Sequence, residues 1–128
     1  MAYEGEGLDI SIPAASDLSS YQYHFVQIDA NGRVALTTAI TDVPLGILQN
    51  KPSAADVPAR IRVSGRSKLA MNQSCSEGTV VTSNTQGFGV PGGGTAAVGC
   101  FVRGITLLSC GGSGDITDVL LIDAYTGI

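Results

Sequence analysis

Apolar residues in this chain come in short runs that alternate with polar ones. The clearest run is Ala59–Gly65, where Ile61 and Val63 point one way and Arg60, Arg62 and Ser64 the other. That spacing is the period of two of a half-buried strand. A second run, Leu45–Gln49, precedes it across a polar loop with Pro52 and Pro58 near its ends. Leu8, Ile10 and Ile12 alternate with Asp9 and Ser11 until Pro13 stops the pattern. Tyr23–Ile28 and Arg33–Thr37 predict a hairpin around Asp29-Ala30-Asn31-Gly32, because Asn-Gly tolerates the positive φ of tight turns. Further strands are expected at Lys68–Met71, Thr79–Thr82, Phe88–Val90 and Val98–Leu108. Gly99 and Gly104 inside the last of these signal a bulge or a close backbone approach. Asp115–Ile122 is apolar on both faces and predicts a central strand covered on both sides. No long window keeps a helical period, and Ser53–Asp56 allows one helical turn at most.

Roughly eight to ten short strands at this spacing predict an all-β fold, a small single-domain β-barrel or sandwich. Residues 1–20 read as an extended N-terminal arm, loosened by Gly5 and Gly7 and joined through the small, polar Ala14–Ser20; residues 21–128 read as the β domain. The arm has two readings. It is the first strand of the domain's own sheet, or it pairs with a neighbouring chain by β-augmentation.

Composition narrows the picture. At 128 residues the chain is one domain by size, long enough to build a core without disulfides or metal. It has no Trp and only 5% aromatics, so that core is built from Val, Ile, Leu and Ala. The net charge of −4 argues against a general nucleic-acid binder. The charges are unevenly placed. Glu4, Glu6, Asp9 and Asp17 make the start acidic, and Asp115, Asp118 and Asp123 do the same near the end. Five of the seven basic residues (Lys51, Arg60, Arg62, Arg66, Lys68) lie between them. Such alternation steers like subunits together, or is solvated surface. The start shows neither a basic nor an apolar region of a secretory signal, and Val119–Ile122 is too short to span a bilayer. Cys75, Cys100 and Cys110 are odd in number and widely spaced, and the expectation is free, buried thiols in a reducing compartment.

Little in the chain carries chemistry. His24 is the single histidine, on the face opposite Phe25 and expected among polar neighbours, so neither a triad nor a histidine metal site can be assembled. The clusters Gly92–Gly94 and Gly111–Gly114 lack an adjoining Lys or helix start and read as loops rather than phosphate cradles. No cofactor or metal is expected. Gly65-Arg66-Ser67-Lys68-Leu69-Ala70 resembles the second motif of the trimeric all-β dUTPases, whose Arg and Ser contact phosphates. Gly7-Leu8-Asp9-Ile10 and Gly111-Gly112-Ser113-Gly114 faintly resemble that family's first motif and glycine-rich tail. The family's water-activating Asp has no counterpart in Gly78–Gly89, and without a carboxylate base the hydrolysis has no proton acceptor.

A second resemblance covers residues 21 to 123. Tyr23–Gly32 (YHFVQIDANG), Pro44–Pro52 (PLGILQNKP), Ala59–Leu69 (ARIRVSGRSKL), Gly78–Ser83 (GTVVTS) and Val119–Ile122 resemble, in order and spacing, the small capsid decoration or cement proteins of tailed bacteriophages. Thr95–Gly114 departs from that pattern in being richer in Gly and Cys. The resemblance implies a non-enzymatic virion protein on the outer surface of the head, assembled in the host cytoplasm. Such a protein bridges major capsid protein subunits and associates with itself, often as a trimer, without nucleic acid or membrane. It implies capsid contacts through the arm, for which Tyr3, Leu8, Ile10 and Ile12 are the candidates. Arg60, Arg62 and Arg66 are the candidates for the subunit interface, because arginine forks pair carboxylates bidentately. A tail or fibre accessory protein, also small and β-rich, is the alternative.

Overall fold

One strand runs through the centre of the molecule and changes partners halfway along. The computed structural model describes residues 7–38, 43–84, 86–91, 101–112 and 114–126. Within them the strands are β1 (Leu8–Pro13), β2 (Phe25–Ile28), β3 (Val34–Leu36), β4 (Gly46–Leu48), β5 (Pro58–Ala70), β6 (Val80–Ser83), β7 (Gly89–Pro91), β8 (Phe101–Thr106) and β9 (Ile116–Thr126). They form an all-β single domain, an antiparallel sheet curled into a half-barrel in the order β3-β2-β4-β5-β9-β8-β6-β7, with β1 also on β5.

β5 is the 13-residue spine. Its first half pairs with β1 and β4, so that Ile61 lies opposite both Ile10 and Leu48. From Gly65 onward it pairs with β9. Gly65 marks the change with φ +93°, a left-handed conformation that a side chain would strain. The sequence reading split this strand into Ala59–Gly65 and Lys68–Met71; the bend at Gly65 joins them. The β2–β3 hairpin forms as expected. The Asp29 carboxylate accepts from the backbone N–H of Asn31 and Arg33, and Gly32 takes φ +77°. Ser53–Asp56 is a turn and not helical.

Two apolar clusters hold the sheet. Val26, Val34, Leu48, Ala59 and Ile61 pack with Ala14 and Leu18 in one. Phe25, Ile47, Leu69, Met71, Val81, Val119 and Leu121 form the other. Neighbouring residues of β2 (Phe25, Val26) and of β4 (Ile47, Leu48) are buried in opposite clusters. These two strands are therefore covered on both faces. Each such fully buried side chain contributes roughly 1.5–3 kcal/mol. Strand β9 was expected to be the doubly covered one. It is central, between β5 and β8, but of its described side chains only Thr117, Val119 and Leu121 are buried. Ile116 and Leu120 are 52% and 43% exposed, because nothing among the described residues packs on that face.

Gly46 shows how closely the central strands approach. A Cβ there would lie 2.2 Å from the Arg62 carbonyl oxygen and 2.8 Å from the Ile61 side chain.

Candidate interaction surfaces

The three arginines singled out in the sequence all lie on β5, and each meets a carboxylate of its own chain. Arg62 forks onto Asp9 of β1, with Nε 2.6 Å from Oδ1 and Nη2 3.1 Å from Oδ2. Its Nη1 donates to the Arg66 carbonyl at 2.8 Å. Arg60 Nε stands 3.5 Å from the same carboxylate. Arg66 reaches Asp118 of β9 at 2.7 Å. The hydrogen bonds from Arg62 hold the Asp9 carboxyl below the ordinary aspartate range, against partial burial, which acts the other way. The Arg60 and Arg66 side chains stay 55% and 59% exposed. They therefore face solvent while bound at one side.

The arm candidates separate. Ile10 and Ile12 are half-buried against the first apolar cluster. Leu8, beyond a slip in the pairing at Leu8/Asp9, is 59% exposed. Tyr3 lies outside the described residues. Among those residues β1 pairs with β5 alone, which leaves its other edge open.

A second surface emerges on the outer face of the β5–β9–β8–β6 segment. Cross-strand pairing places Arg66, Leu120, Ile105 and Val80 in one row. Lys68 and Asp118 lie opposite each other in the next row. Ile116 extends the aliphatic stripe, and the exposed Leu107 and Leu108 follow β8. A contiguous apolar band framed by charged residues is a packing surface of the kind found at protein interfaces.

Sequence reasoning missed Arg103. It lies in the apolar Val98–Leu108 run, where the register of β8 against β9 slips between Val102 and Gly104. The slip helps re-aim a side chain, and Arg103 is buried at 8% exposure. Its guanidinium donates to the carbonyls of Val63 (2.6 Å), Leu45 (3.1 Å) and Pro44 (3.3 Å), and also to that of Ile122. One side chain on β8 thus ties together β5, β9 and the entry to β4. The signal available in sequence was a lone charge inside an apolar run beside a glycine.

His24 is not among polar neighbours. It is buried with its ring edge-on to Tyr21 and tilted against Phe88, and Nδ1 lies 2.9 Å from the Gln86 carbonyl. Burial pushes its pKa below the ordinary histidine value. Among the described residues no three His, Cys, Asp or Glu side chains gather as a metal ion would require. Two of the widely spaced cysteines do come together. Cys75 and Cys110 are half-buried, with sulfurs 3.2 Å apart. Cys100 lies outside the described residues.

No protein-family model matches the chain, and no curated protein sequence matches it significantly. Its fold is similar to that of a solved structure, the N base of the head fiber protein gp8.5 of bacteriophage phi29. The TM-score is 0.67 at 12% identity, covering 90% of this chain and 93% of that one.

Proposed function

We propose that this chain is a non-enzymatic structural protein of a bacteriophage head, carried on the outside of the capsid. The observation that carries the reading is the whole-length likeness in fold to a head fiber base. It is supported by the ordered segments that resemble capsid decoration proteins, Tyr23–Gly32 through Val119–Ile122. In this reading the protein bridges major capsid protein subunits as cement. The outer side of β1 lies over the capsid, with Leu8 and the open edge of that strand among the groups available for the contact. The aliphatic band around Leu120, with Arg66 and Lys68 at its rim, packs against neighbouring copies, which associate as trimers. Many modest contacts repeated by symmetry then act together through avidity.

The likeness to a fiber base favours a second reading, in which the domain is the foot of a longer projection from the head. Electron cryo-microscopy of virions separates the two. Cement gives density at regular lattice sites that ends with this domain. A fiber base gives a projection continuing outward. Absence from the head, or failure of the purified protein to bind expanded capsids that lack it, would overturn both.

A further inference from the structure

Cys75 lies in the connection between β5 and β6, and Cys110 in that between β8 and β9. The two residues form an isolated antiparallel bridge outside the named strands. Each donates its backbone N–H to the other's carbonyl, at 3.2 and 3.1 Å. An antiparallel pair that exchanges both bonds holds its Cα atoms about 5.5 Å apart. That separation falls within the roughly 4.4–6.8 Å range that a disulfide spans. The side chains are directed at each other, with Sγ atoms 3.2 Å apart. The Cys110 thiol also donates to the Gln73 carbonyl at 3.2 Å, which leaves the Cys75 S–H to donate to the Cys110 sulfur. Both residues are half-buried, so a small reagent reaches them while the chain stays folded.

We propose that Cys75 and Cys110 are a thiol modification site, closed to a cross-strand disulfide by a small-molecule disulfide such as oxidised glutathione. The Cys110 thiolate attacks the reagent and expels one of its thiolates, leaving a mixed disulfide. The Cys75 thiolate then attacks the Cys110 sulfur and expels the second. The protein loses two protons and two electrons, and the reagent becomes two thiols. Burial, with the hydrogen bond to Cys110, pushes the Cys75 thiol up to about 11. The inference is independent of where the protein is carried.

The test uses the full chain under native conditions. The protein is incubated with oxidised glutathione, alkylated and digested with trypsin plus a glutamate-specific protease, which cuts at Glu77 and separates Cys75 from Cys100. Mass spectrometry is expected to recover fragment 69–77 linked to fragment 104–128, with Cys100 alkylated. The unfolding midpoint is expected to rise by about 10 °C, because the bond closes a long loop in the unfolded chain. Dithiothreitol is expected to reverse both changes. The Cys100→Ser chain is expected to behave identically. The proposal is overturned if the native chain keeps its thiols while a urea-unfolded sample is oxidised, or if the recovered link contains Cys100.

Discussion

Replacing Arg103 tests whether one buried guanidinium holds the two halves of the curled sheet together. Its acceptors include the carbonyls of Pro44, Leu45, Val63 and Ile122. A hydrogen bond from a charged donor contributes roughly 1.5–3 kcal/mol, and a buried carbonyl deprived of its donor loses about as much. These bonds do not add, because a single charge is desolvated once for all of them. Arg103→Met keeps an unbranched apolar stem and removes every donor, and is expected to cost about 3–5 kcal/mol. Arg103→Lys keeps the charge, but a compact ammonium cannot fork across carbonyls on three segments, so the expected loss is about half as large. Urea unfolding followed by circular dichroism measures both. For the Met variant the midpoint is expected to fall by roughly 2 M at unchanged slope. A Met variant within about 1 kcal/mol of the parent would refute the reasoning. So would a Lys variant as unstable as the Met variant, since fork geometry and charge would then carry no separate weight.

Further outcomes follow from other contacts. Asp9→Asn removes the charge that Arg62 grips and is expected to cost about 1–2 kcal/mol, with proteolysis within β1 accelerating more than global unfolding. Because the Asp9 carboxyl sits below the ordinary aspartate value of 3.8, its contribution is full above that pH and disappears as pH falls through the folded value. His24 acts in the same direction at higher pH. Its folded value is below 6.5, so the unfolded chain takes up the proton first and stability declines as pH falls from about 7. A series of melting temperatures against pH is expected to show this decline in the parent and to lose it in His24→Phe. Gly46→Ala places a methyl against the Arg62 carbonyl and is expected to cost about 3 kcal/mol or more, read as a lowered melting temperature. Leu120→Glu, on the outer face, is expected to change stability by less than about 1 kcal/mol. It is expected to abolish self-association or capsid binding in sedimentation, and unchanged assembly would remove that face from the proposed interface.

Local chemistry was readable where a single segment decides it. Asn31-Gly32 requires one turn type, and the alternation in Ala59–Gly65 requires one buried face, so the β2–β3 hairpin and the first half of β5 follow from the residues. The misreadings share a cause. Val119–Ile122 is apolar on consecutive residues, but period alone does not say whether a second layer covers the outer face. The residues that are covered twice, in β2 and β4, are four ordinary apolar positions whose second layer comes from elsewhere in the chain. The Cys75–Cys110 pair and the Arg103 carbonyl cage depend on the order of strands, which no short window contains. Arg60, Arg62 and Arg66 were legible as a cationic face, whereas their carboxylate partners, Asp9 and Asp118, lie some fifty residues away on either side.

That last separation has a kinetic consequence. Besides its near neighbour β4, strand β5 acquires partners from far along the chain in both directions: Arg62 bonds Asp9 across 53 positions and Arg66 bonds Asp118 across 52. Neither seam can form until a loop of that length has closed, and the loss of chain entropy precedes the reward of pairing. The domain is therefore expected to fold in the millisecond-to-second range of all-β topologies rather than in microseconds. During synthesis the middle strand emerges long before β9 exists, so its second half waits for that partner until β9 has been made.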